Sequence, residues 1–240
     1  MQQHESAKQI SRGECPTCAS SDGNVLYDDG HKYCFVCNTY TKKEGDAHMN
    51  TQPAPIQGVY QNRFTDGVID SLPERSISKD TCNFYGVKVV KDMTGANAKH
   101  IYPYHDINGS HTANKIRQVA TKAFMSEGAL PAATLFGQKY FQQSGKFITV
   151  CEGELDAMAA YELMGSKWPS VSIKNGAQSA LKDVKAQYDY LNKFETIVLC
   201  FDNDEHGTKA ANAVAQLFEP NRCKIMDLSL KDANEYLKEN

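Results

Sequence analysis

Phe147-Ile148-Thr149-Val150-Cys151-Glu152-Gly153-Glu154-Leu155-Asp156-Ala157 is the stretch on which the reading of this 240-residue chain turns. Its first five residues are an apolar run of strand length. An acid follows at once, and Leu155 to Met164 then has helical character, with Gly165 placed as a C-cap. The pattern recurs downstream. Ser170 to Ile173 is a second short strand candidate. Leu181, Val184, Tyr188 and Leu191 share one face of a helix. Thr196 to Phe201 reads as a third strand. Ala211, Val214, Leu217 and Phe218 mark a further helix face that stops near Pro220, and Cys223 to Leu228 reads as a fourth strand. This β-α-β-α-β-α-β order predicts an α/β fold with a parallel sheet covered by helices.

Acids stand directly after the first and third of these strands: Glu152, then Asp202 and Asp204. In open α/β sheets functional groups gather at the carboxyl ends of strands, so these acids converge across fifty residues of sequence. Asp232 follows the fourth strand and can join them. Neighbouring carboxylates repel one another unless a cation sits among them, and magnesium takes a few carboxylate oxygens together with phosphate and water. Any one of these acids alone is equally well a solvated turn residue or a helix-terminal one. Glu152 with Asp202-x-Asp204, each after a strand, is the combination that points to a metal.

Upstream, His100 to His105, the Asn108-Gly109 turn and Ala113 to Val119 form a hairpin. Lys115 and Arg117, two residues apart, project from one face of its second strand. Residues 51–147 carry 11 basic and 7 acidic side chains, while residues 148–240 carry 10 and 15. A basic middle beside an acidic end suits a phosphate-binding surface facing a cation-binding one, although chance variation gives such a contrast as readily.

The N-terminal segment has a different chemistry. Cys15-x-x-Cys18 and Cys34-x-x-Cys37 are separated by fifteen residues, the spacing of a closed tetrahedral zinc site. Asn24 to Tyr27 and His31 to Phe35, around Asp28-Asp29-Gly30, give the two strands of a zinc ribbon, too small to fold securely without its metal. His31, Lys32 and Tyr33 suit reading of a nucleic-acid base; the alternative is a protein-docking knob. Residues 49–58, with two prolines and a glycine, read as a flexible linker. The expected organisation is a ribbon over 1–48, the linker, a mixed α+β basic lobe over 59–146 and the α/β domain over 147–240. No apolar run reaches the roughly 18 residues of a membrane span, and the N-terminus has no apolar signal region. A soluble cytoplasmic protein is expected, and the scattered Cys82, Cys151, Cys200 and Cys223 are not a secreted disulfide framework.

Glu152-Gly153-x-x-Asp156-Ala157 followed by Asp202-x-Asp204 resembles the TOPRIM domain of bacterial-type primases, topoisomerases and some nucleases. With the ribbon, linker and basic lobe before it, the chain resembles the primase half of the bifunctional primase–helicases of short-tailed phages. Asp28-Asp29-Gly30-His31, Asn114-Lys115-Ile116-Arg117, Leu135-Phe136-Gly137 and Lys231-Asp232-Ala233-Asn234-Glu235 are similar to that family's local motifs. The resemblance implies template-directed synthesis of short RNA primers on single-stranded DNA from ribonucleoside triphosphates. It implies an acidic centre of Glu152, Asp156, Asp202, Asp204 and Asp232 holding Mg2+ or Mn2+, and phosphate or template-backbone contacts from Lys115, Arg117 and Lys122. It also implies a replicative helicase and a DNA polymerase as partners. No Gly-x-x-x-x-Gly-Lys-Ser/Thr loop occurs, so no helicase motor is encoded in these residues. A TOPRIM nuclease and a RecR-like DNA-binding mediator are the competing readings. The first has no obvious use for an N-terminal ribbon, and the second carries its zinc motif internally.

Overall fold

The computed structural model describes residues 8–16, 20–35, 39–41 and 64–240, and their strands form three sheets. The chain divides into two units, residues 1–59 and 60–240. Cys18, Cys37 and the expected linker at 49–58 lie outside the described residues.

In the first unit β1 (Gln9–Gly13), β2 (Asn24–Tyr27), β3 (Lys32–Cys34) and β4 (Tyr40–Thr41) form an antiparallel sheet in sequence order. The predicted hairpin is β2 and β3, closed by a turn in which the Gly30 N–H donates to Tyr27 O at 2.9 Å. Val25, Cys15 and Cys34 are buried in it.

The second unit begins with α1 (Lys79–Tyr85), capped by the Ser78 hydroxyl. β5 (Lys88–Lys91), β6 (Asn97–His105), β7 (His111–Gln118) and β8 (Phe124–Gly128) then form an antiparallel sheet in sequence order. β6 and β7 are the predicted hairpin. Asp106 organises its turn, accepting hydrogen bonds from Asn108 N and Ser110 N, both at 2.9 Å.

The last third alternates as its sequence pattern requires. It runs β9 (Gly145–Cys151), α2 (Glu154–Leu163), β10 (Ser170–Ser172), α3 (Ala180–Ala186), α4 (Tyr188–Leu191), β11 (Phe194–Cys200), α5 (Glu205–Ala215), β12 (Cys223–Ile225) and α6 (Ala233–Glu239). The four strands are all parallel in the order β10-β9-β11-β12. Helices cover both faces, which is why β9 and β11 read as near-continuous apolar runs. Ile148, Val150, Ile197 and Leu199 pack with Val184, Leu191 and Val214 on one face. Cys151 and Cys200 pack with Met158, Tyr85, Tyr104 and Phe136 on the other, so this second core joins the parallel sheet to the antiparallel one. Phe136 bridges to Ser172 beside β10 and stacks on Tyr85 at 5.3 Å. The next residue has to be glycine: Gly137 has φ +82°, and a Cβ there would lie 2.6 Å from Tyr85 Cε1.

Two expectations need correction. The single helix face over 181–191 is two helices, broken at Gln187, whose φ of −116° leaves the helical region. Leu181 is 38% exposed, while Val184 and Leu191 are buried. Periodicity cannot register such a break, because both pieces present their apolar residues to the same core. The last strand stops at Ile225, and Leu217 and Phe218 lie beyond the end of α5. Phe218 is buried all the same, stacked on Tyr188 at 5.0 Å.

Candidate active site

β9 and β11 are neighbours, with Cys151 paired to Cys200, so the residues that follow them emerge side by side. Glu152, Asp156 and Asp202 thereby line one cleft of about 440 Å3 with Gly153, Glu154, Asn175 and Gly176. Lys115 and Phe124, from β7 and β8, also line it.

The acids differ in their surroundings. Glu152 Oε1 accepts from the Ala177 N–H at 3.0 Å, while Oε2 is buried without a hydrogen-bond partner. Asp156, in the first turn of α2, accepts from the Asn234 N–H at 3.2 Å. Burial pushes its carboxyl well above the ordinary range, and the nearby Asp232 and Asp202 push it further. Burial and the Glu152 charge raise Asp202 to about 6, partly offset by the Lys231 ammonium 3.4 Å away. Asp204 and Asp232 do not line the cleft; they are the N-caps of α5 and α6. Asp204 Oδ1 accepts from Gly207 N at 2.8 Å, and that bond holds its carboxyl below the usual range. Asp232 Oδ1 accepts from Glu235 N at 2.7 Å.

Among the described residues no three His, Cys, Asp or Glu side chains stand close enough together to ligate one ion. The donor set nonetheless fits a hard divalent cation. It is all oxygen, it includes one buried orphan oxygen, and burial together with neighbouring carboxylates raises two of its members.

The expected phosphate ligands divide. Lys115 Nζ reaches the cleft, bound to Glu154 Oε1 at 2.8 Å and Lys174 O at 2.7 Å, and lies 4.6 Å from the Phe124 ring centroid. Arg117, two residues along the same strand face, is 4% exposed and lies near Arg75, Glu74 and Tyr102. Lys122 is exposed in the β7–β8 turn at φ +59°. Neither Arg117 nor Lys122 lines the cleft.

Three contributors escaped sequence reasoning. Glu154 is 3% exposed and accepts from both Lys115 and the Tyr104 hydroxyl, so it ties the basic sheet to the acidic one. Gly207 lets α5 approach the strand end, since a Cβ there would lie 2.1 Å from Asp202 O. A glycine inside an amphipathic helix was the available signal. Asn234 bridges elements 159 residues apart, and no local pattern announces that.

In the first unit, His31 stacks on Tyr27 at 4.3 Å and on Tyr40 at 5.2 Å, with Nδ1 2.5 Å from Asp29 Oδ1. Lys32 is exposed, and Tyr33 is half-buried, edge-on to Phe35.

The acids stand at the carboxyl edge of a four-stranded parallel sheet, and residues 149–237, which hold most of it, match the family model described as Toprim-like. The DNA helicase/primase of Enterobacteria phage T3 is 35% identical over 98% of this chain, which spans 42% of that relative's length. The crystal structure of the primase fragment of the bacteriophage T7 primase-helicase is 34% identical, with a TM-score of 0.65 over 97% of this chain and 96% of the fragment. Another bacteriophage T7 structure holds a lagging-strand DNA polymerase interacting with primase domains bound to an RNA/DNA hybrid and dTTP. The matched chain is 37% identical, with a TM-score of 0.63 over 71% of this chain and 86% of that one. The chain belongs to the family of the phage primase–helicases, and corresponds to their primase part.

Proposed function

We propose that this chain is a DNA primase that makes short RNA primers on single-stranded DNA from ribonucleoside triphosphates. The observation that carries the reading is the cleft itself, which Glu152, Asp156 and Asp202 share with Lys115. In the reaction a ribonucleotide 3′-hydroxyl oxygen bonds to the α-phosphorus of the incoming triphosphate, and the bond to the β-phosphate oxygen breaks to release pyrophosphate. Catalysis of this kind is positioning together with charge neutralisation.

Glu152, Asp156 and Asp202, joined by Asp204 and Asp232, would hold Mg2+ or Mn2+. Such an ion supplies the positive charge and Lewis acidity that a triphosphate needs. Lys115 would donate to a phosphate oxygen within the cleft. Glu154 and Lys174 O hold its ammonium there before substrate arrives, so less side-chain freedom is lost on binding. Lys122, exposed in the β7–β8 turn of the same sheet, would meet the template backbone, whereas Arg117 is buried and has no surface to offer it.

Cys15 and Cys34, both buried, with Cys18 and Cys37 would bind one structural zinc. The ribbon would read the template through His31, Lys32 and Tyr33. The bond to Asp29 through Nδ1 leaves the Nε2 edge of His31 for a base. The helicase fused in the phage T3 relative and the polymerase beside the phage T7 primase domains are the partners proposed here. The site of action would be a cytoplasmic replication fork; among the described residues no helix is long and apolar enough to cross a membrane. Incubation with randomised single-stranded DNA, magnesium and ribonucleotides tests the reaction: short RNA products are expected, and shortened DNA instead would make the protein a nuclease.

A further inference from the structure

Asn234 is 2% exposed in an otherwise polar C-terminal stretch. Buried carboxamides need partners, and this one finds both of its own on a single residue. Nδ2 donates to Arg75 O at 2.8 Å, and Oδ1 accepts from Arg75 Nη1 at 3.3 Å. The Asn234 backbone N–H points the other way and donates to Asp156 Oδ1 at 3.2 Å. One residue on, the Glu235 N–H holds Asp232 at 2.7 Å. The first turn of α6 therefore touches two acids of the cleft region, while its own place is fixed by a reciprocal pair with the turn at Pro73–Arg75.

A seven-residue helix is not stable alone, so packing and this clamp decide where it sits. Asp232 opens α6 and Asp156 lies in the first turn of α2, so something has to hold α6 against α2 if the two acids are to keep their separation. The Asn234 carboxamide sits where it can do that.

We propose that Asn234 is a positioning residue: by clamping α6 to Arg75 it sets the separation of Asp156 and Asp232, and so the affinity of the acidic centre for its divalent cation. The inference rests on the reading that these acids bind such a cation. Groups that orient metal ligands without touching the metal change affinity by about 10- to 100-fold when removed.

The test is Mn2+ binding, read from the free-ion paramagnetic resonance signal on the full chain without nucleotide or template. Asn234→Ala should weaken binding on the order of tenfold or more. Primer synthesis by this variant should recover at raised Mn2+, with KM for the metal increased and kcat retained. Arg75→Lys keeps the charge but loses the guanidinium contact; it should shift affinity in the same sense by less, and it carries the test if Asn234→Ala does not fold. Unchanged Mn2+ affinity in the folded variants overturns the inference and leaves the cation reading standing. Absence of Mn2+ binding by the unsubstituted chain overturns the cation reading, and this inference with it.

Discussion

Lys115 meets three partners at once: a carboxylate, a backbone carbonyl and an aromatic face. Its neutralising partner Glu154 is almost wholly buried, so removing that partner strands a charge. Breaking a buried pair from one side costs about 3–5 kcal/mol, and Glu154→Ala should lower the urea midpoint of the 60–240 unit accordingly. An unchanged midpoint would mean that Lys115 swings free to solvent. His105 gives a second residue-scale expectation. Burial, with Lys139 and His111 nearby, lowers it from 6.5 to about 4. A lowered folded value means that the unfolded chain takes up the proton first. The stability that His105 contributes is thus complete above pH 6.5 and is lost as pH falls towards 4. His105→Gln should flatten the stability profile over that window, and a parallel profile would remove His105 from the account. The acids after β9 and β11 were legible in the sequence because strand ends in parallel sheets are predictable. The burial of Arg117 was not, since the face it shares with Lys115 turns inward only through tertiary packing.

At the scale of elements, the parallel strands could be read directly because β9 and β11 are apolar on both faces. α3 and α4 could not be separated, because the break at Gln187 leaves the apolar stripe intact. The approach of α5 to Asp202 is similarly invisible in periodicity, yet it makes a strong demand. Gly207→Ala places a methyl group against Asp202 O, so helix or strand end must shift, at a cost of about 1–3 kcal/mol. The expected outcome is severe loss of primer synthesis with the far-ultraviolet circular dichroism largely kept. Full activity would show that the Asp202 turn tolerates displacement.

For the whole molecule, the chain divides into two units, residues 1–59 and 60–240. Zinc chelation should abolish template-directed initiation while the 60–240 unit keeps its thermal transition; unaffected initiation would remove the ribbon from template choice. The central claim is that the acidic cleft performs nucleotidyl transfer. Its most direct measurement is RNA product formed on single-stranded DNA by Asp202→Ala beside the unsubstituted chain, in magnesium and all four ribonucleoside triphosphates. Primers from the unsubstituted chain and none from a folded Asp202→Ala are predicted. Equal product from both would contradict the assignment of catalysis to this cleft.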